Sequence, residues 1–108
     1  MKDRRLSKRL PLNLKAQYFL KEKKGNGREC TVINISRNGT GLAFYTFEKI
    51  DIGSSLFLEI FDAATKEAIS VKGVLRWFRQ GKVDFVGGIE VTSQSDGKKL
   101  TDLIGLVQ

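Results

Sequence analysis

Histidine is absent from this 108-residue chain, and cysteine, proline, methionine and tryptophan occur once each. Zinc sites need clustered Cys and His ligands, and a cysteine nucleophile needs a base beside it. A zinc finger, a Ser-His-Asp triad and a Cys-His dyad are therefore excluded. Cys30 has no partner for an intrachain disulfide, which suits a reducing compartment, and its expected role is that of a small buried apolar side chain. Long apolar runs are missing too. None approaches the ~20 residues that span a bilayer, and the chain opens on charges rather than on a basic-then-apolar export signal, so a cytoplasmic protein with no membrane span is expected. The acidic residues show no recognisable catalytic or metal spacing, and no Walker or Rossmann glycine loop appears. The chain is not expected to be an enzyme, and no cofactor is implied.

What is present is enough for one compact domain. Hydrophobic residues make up 41% of the chain, with 7 Phe, and a chain of this size buries roughly two-thirds of its unfolded surface. The net charge of +7 is unevenly placed. Residues 1–28 carry ten Lys/Arg against two Asp/Glu, whereas residues 29–108 carry nine against ten. All the excess positive charge lies in the first quarter. That asymmetry points to an anionic partner met by the amino-terminal segment, divided here as a basic arm, residues 1–12, and a folded body, residues 13–108.

Hydrophobic periodicity predicts six strands and one helix. Leu14, Ala16, Tyr18 and Leu20 alternate with polar residues, the period-two pattern of a half-buried strand. A turn at 23–27, rich in Lys, Gly and Asn, leads to a second strand over Cys30–Ile35. The tight segment Ser36-Arg37-Asn38-Gly39-Thr40-Gly41 leads to a third, Leu42–Phe47. Leu56, Leu58 and Ile60 form the inner face of a fourth strand. Ile69, Val71, Gly73, Leu75 and Trp77 form that of a fifth, and Val83, Phe85, Ile89 and Val91 belong to a sixth, where Gly87-Gly88 suggests a bulge or a close backbone approach. After a cap candidate at Ser95-Asp96, Leu100, Leu103, Ile104 and Val107 fall at helical spacing. Six short strands with turns at regular intervals suggest a closed barrel, with the helix over one end.

Two polar clusters fall outside this core pattern. Arg5 and Arg9 stand at Arg-x-x-x-Arg spacing ahead of Pro11. A guanidinium is planar and permanently charged, holds phosphate bidentately and stacks on flat rings. The second cluster, Asn34-Ile35-Ser36-Arg37-Asn38-Gly39, has the form Asn-x-Ser-x-x-Gly. At period two Asn34 and Ser36 share a face, where an amide and a hydroxyl can read the edge of a heterocycle; alternatively both serve only the amides of a hairpin turn.

Together the clusters resemble the PilZ family of cyclic di-GMP receptors, whose signature is Arg-x-x-x-Arg followed some 20 to 30 residues later by (Asp/Asn)-x-Ser-x-x-Gly. Here 24 residues separate Arg9 from Asn34. Gly73-Val74-Leu75-Arg76-Trp77 is similar to the family's Gly-x-Val-x-Trp strand and Gly88-Ile89-Glu90-Val91 to its Gly-(Val/Ile)-x-Phe strand, so the resemblance covers nearly the whole chain. It implies an all-β fold, a six-stranded antiparallel barrel with a C-terminal α-helix. It also implies a ligand, cyclic di-GMP, held by Arg5 and Arg9 at phosphate and guanine, by Asn34 and Ser36 at a guanine edge, and allowed close by Gly39. Arg4 resembles the extra arginine of members that bind an intercalated ligand dimer, and Trp77 is either a stacking platform or a core aromatic. Two departures stand out: Asn34 replaces the commoner Asp, and Thr40 comes after Gly39 where an apolar residue is usual.

The function expected on these grounds is that of a sensor or adaptor whose arm changes conformation on binding cyclic di-GMP and signals to a partner protein that the sequence does not name. Two alternatives stand beside it. A small β-barrel for single-stranded nucleic acid is disfavoured because its aromatics would line a basic groove, whereas here most alternate into the core. A PilZ-like interaction domain without a ligand is disfavoured by the intact motifs.

Overall fold

The computed structural model describes the backbone of residues 9–20, 27–62 and 66–107, and their side chains apart from those of residues 9–12, 104, 106 and 107. The arm up to residue 8 and most of the expected turn at 23–27 lie outside the described residues. Six strands run in chain order, β1 (Arg9–Leu20), β2 (Arg28–Ser36), β3 (Gly41–Thr46), β4 (Ser55–Asp62), β5 (Glu67–Gln80) and β6 (Phe85–Val91), and one helix, α1 (Gln94–Val107), comes after them. The strands close into a barrel in the order β1-β2-β3-β6-β5-β4, every neighbouring pair antiparallel. Closure removes the unpaired edges of an open sheet.

The barrel interior results from the alternation. Tyr18, Val32, Ile35, Phe44, Leu56, Leu58, Ile60, Val71 and Leu75 are buried in one core with Cys30, and Leu100 and Leu103 of α1 complete it at one end. Each such aliphatic side chain contributes about 1.5–3 kcal/mol on full burial. A chain of polar groups enters the core: Thr46 Oγ1 donates to the Tyr18 hydroxyl at 3.4 Å, and that hydroxyl donates to Glu48 Oε1 at 2.8 Å. Arg28 pairs with the same carboxylate.

Four local expectations are corrected. The first strand begins at Arg9 instead of Leu14, so Arg9 and Pro11 already stand in the ladder, opposite Ser36 and Asn34. Trp77 does not share the inner face with Leu75. The β5–β6 register shifts between Leu75 and Trp77, and this bulge advances the alternation by one residue, so that Phe78 packs against the core instead. Val83 lies in the turn before β6, 82% exposed, where Gly81 N–H donates to the Asp84 carbonyl. The helix cap is Ser93, whose Oγ accepts from Asp96 N–H at 3.2 Å. Asp96, freed from capping, accepts from Lys72 N–H of β5 at 2.9 Å and so ties the helix to the wall.

Candidate functional site

The end of β2, the turn after it and the middle of β5 and β6 converge on the outer wall of the barrel. Ile35 points into the core, so Asn34 and Ser36 on either side of it face outward. The chain then reverses sharply. Gly39 N–H donates to the Ser36 carbonyl at 3.0 Å, and Gly39 takes φ +74°, a conformation that glycine adopts without strain. Ser36 Oγ organises the start of β3 by accepting from Thr40 N–H and Gly41 N–H, each at 3.0 Å. Asn38 Oδ1 accepts from the hydroxyls of Ser36 at 3.1 Å and Thr40 at 2.9 Å. The turn therefore holds its own polar groups in place.

Beside this turn lies a pocket of about 290 Å³ whose lining includes Asn34, Ser36, Thr40, Arg76, Trp77 and Glu90. Two features of the wall make room for the indole. The bulge in β5 brings Arg76 and Trp77, consecutive in sequence, into the same outer pocket. On β6, Gly88 lies under the ring, and a Cβ there would collide with Trp77 Nε1. The Arg79 guanidinium sits 4.9 Å from the ring centroid, a cation–π contact.

Among the pocket's polar atoms one is out of balance. Asn34 Oδ1 is buried and accepts no hydrogen bond among the described residues. A buried acceptor without a donor carries a desolvation cost of about 1–3 kcal/mol, a cost removed by a donor supplied from outside. Arg76 Nε donates to Glu90 Oε1 at 2.6 Å.

The structure thus brings Asn34, Ser36 and Trp77 together around one pocket. It sets the backbone of Arg9 across the ladder from Ser36, so the two motifs, 24 residues apart in sequence, are neighbours in space. The side chain of Arg9, and Arg4 and Arg5 altogether, lie outside the described residues. Gly39 is not part of the pocket lining. It is buried against α1, where a Cβ would strike the Gly97 carbonyl oxygen. Sequence reasoning alone does not reach Thr40, Arg76 and Glu90 as site residues. The departure from the motif at Thr40 is a signal for the first, but nothing in the linear pattern announces the bulge that recruits Arg76.

A closed small barrel with a self-organised turn and a polar, aromatic-sided pocket on its outer wall has the build of a binding module. The PilZ domain family model matches residues 3–107, and the chain belongs to that family of cyclic di-GMP-binding domains. Among solved structures, it is similar to the Bacillus subtilis inhibitor of motility MotI/DgrA, with a TM-score of 0.70 and 20% identity over 98% of this chain and 52% of that one. The chain spans about half the length of that protein, and the likeness is one of fold. No curated protein matches the chain. Among the described residues no helix is long and apolar enough to cross a membrane.

Proposed function

We propose that this chain is a cyclic di-GMP sensor whose basic arm, the part of residues 1–12 that precedes β1, closes over the ligand and presents a new surface to a partner protein. The observation that carries the reading is the buried Asn34 Oδ1, without a donor among the described residues, in a pocket that also holds Ser36 and Trp77. The guanine Watson–Crick edge offers N–H donors, and an indole offers a face for stacking. The register supports the same reading: the backbone of Arg9 stands opposite Ser36, which lines the pocket, and Arg5 and Arg9 are the residues assigned to the ligand's phosphates. Arg4 extends the cationic run and suits a second, intercalated ligand molecule. That the structural neighbour is an inhibitor of motility is consistent with signalling through another protein.

Calorimetric titration tests this, with GTP and a single-stranded oligonucleotide as controls. Saturable binding of cyclic di-GMP is expected, and Arg5→Ala or Arg9→Ala should weaken it at least ~10-fold, since each charge-assisted contact is worth about 1.5–3 kcal/mol. Wild-type affinity in both variants would remove the arm from the site. Tight oligonucleotide binding without cyclic di-GMP binding would replace the sensor by a nucleic-acid binder.

A further inference from the structure

Arg76 and Glu90 belong to neither motif, yet both line the pocket. In a regular strand Arg76 and Trp77 would point to opposite faces; the bulge puts both beside Asn34. Glu90 Oε1 takes the Nε–H of Arg76, and no other hydrogen bond of that guanidinium is seen among the described residues. The Nη end of the fork is thus oriented but unused.

We infer that Arg76 is the guanine-reading residue of this pocket, its Nη fork directed at the O6 and N7 of a base lying against Trp77, and that Glu90 is the positioning residue that aims it. The inference rests on the reading of the pocket as a cyclic dinucleotide site. Guanine presents two acceptors on that edge, whereas adenine presents one acceptor and an N6 donor, so a donor fork pairs with the first and meets a like group on the second. A phosphate is the poorer occupant of the fork, because it would stand beside the Glu90 carboxylate and be repelled, whereas a neutral base edge is not. Both side chains are more than half exposed, at 57% and 56%. A surface pair of this kind adds little to stability, and its removal leaves the barrel folded.

The experiment compares cyclic di-GMP and cyclic di-AMP by calorimetry on the wild type, Arg76→Ala, Arg76→Lys, Glu90→Ala and Glu90→Gln, with melting temperatures as a folding control. Arg76→Ala should weaken cyclic di-GMP by about tenfold or more and leave cyclic di-AMP unchanged, narrowing the preference by that factor. Arg76→Lys should not restore it, since an ammonium has no fork. Glu90→Ala should reduce the preference and Glu90→Gln, which keeps an acceptor for Nε, should rescue it. Equal weakening of both dinucleotides in Arg76→Ala would assign the residue to phosphate and overturn the inference, as would wild-type affinity for both, with the sensor reading intact in either case. A wild type that binds no cyclic di-GMP would overturn the sensor reading and this inference with it.

Discussion

Asn34, Ser36 and Gly39 belong to one short motif and play three different roles, and substitution separates them. Asn34 Oδ1 accepts no hydrogen bond among the described residues, so Asn34→Ala deletes an unsatisfied group and should not lower the melting temperature, while cyclic di-GMP affinity should fall by about tenfold. A variant that melts lower but binds as wild type would make Asn34 a structural residue. Ser36 Oγ holds two backbone amides, so Ser36→Ala should cost about 1 kcal/mol of stability as well as affinity; paired thermal melts and titrations would show both losses together. Gly39 combines a positive φ with contact against the helix. Gly39→Val should therefore destabilise by at least ~2 kcal/mol, a drop of roughly 8 °C or more in Tm.

At the scale of elements, the pocket depends on a mismatch between two adjacent strands. The bulge in β5 turns the indole outward and Gly88 of β6 leaves the space it occupies. Because β6 is extended at Gly88, without positive φ, Gly88→Ala strains no backbone, and its effect falls on the ring it displaces. Trp77 is the only tryptophan, so its fluorescence reports this event alone. A shifted emission spectrum and weaker cyclic di-GMP binding are expected together; an unchanged spectrum would mean that the ring does not rest on this strand. The same two strands carry α1 through the bond from Lys72 N–H to Asp96, and Gly39 meets the helix at Gly97. Pocket and helix are in this way linked by a single turn.

For the whole molecule, burial sets the alkaline limit. It pushes the Tyr18 hydroxyl and the Cys30 thiol each up to about 12. The unfolded chain loses these protons near pH 10 and 9, while the folded barrel keeps them, so the folded state binds more protons and stability falls as pH rises. Their contribution is complete below about pH 9 and is lost between about pH 9 and 12, at no more than about 1.4 kcal/mol per pH unit for each group. Urea midpoints should decline over that range, and Cys30 should react with a thiol reagent at pH 8 only on unfolding. Ligand binding has a different signature. Amide exchange over residues 1–8 should slow at least about tenfold with cyclic di-GMP while the barrel barely changes, because the ladder already includes Arg9 onward. Binding should survive ~0.3 M salt, since a ligand with two phosphates releases few counterions. An arm without added protection at saturating ligand would refute arm closure.

Much of this architecture was legible in the linear pattern. Period-two alternation depends on nothing beyond the chain's own pleat, so it placed the six strands and the inner residues from Tyr18 to Leu75, and helical spacing placed Leu100 and Leu103. The paired motifs pointed to the family because their residue types and order are sequence properties. Tertiary structure alone decided the rest. A bulge exists only relative to a neighbouring strand, so the outward turn of Trp77, the recruitment of Arg76 and the inward turn of Phe78 could not be read from spacing that presumes unbroken alternation. The unsatisfied oxygen of Asn34 is likewise a property of its surroundings. Gly39 looked like a place of close approach, and it is one, but its neighbour is the Gly97 carbonyl, brought there by a helix that begins more than fifty residues later and folds back over the end of the barrel.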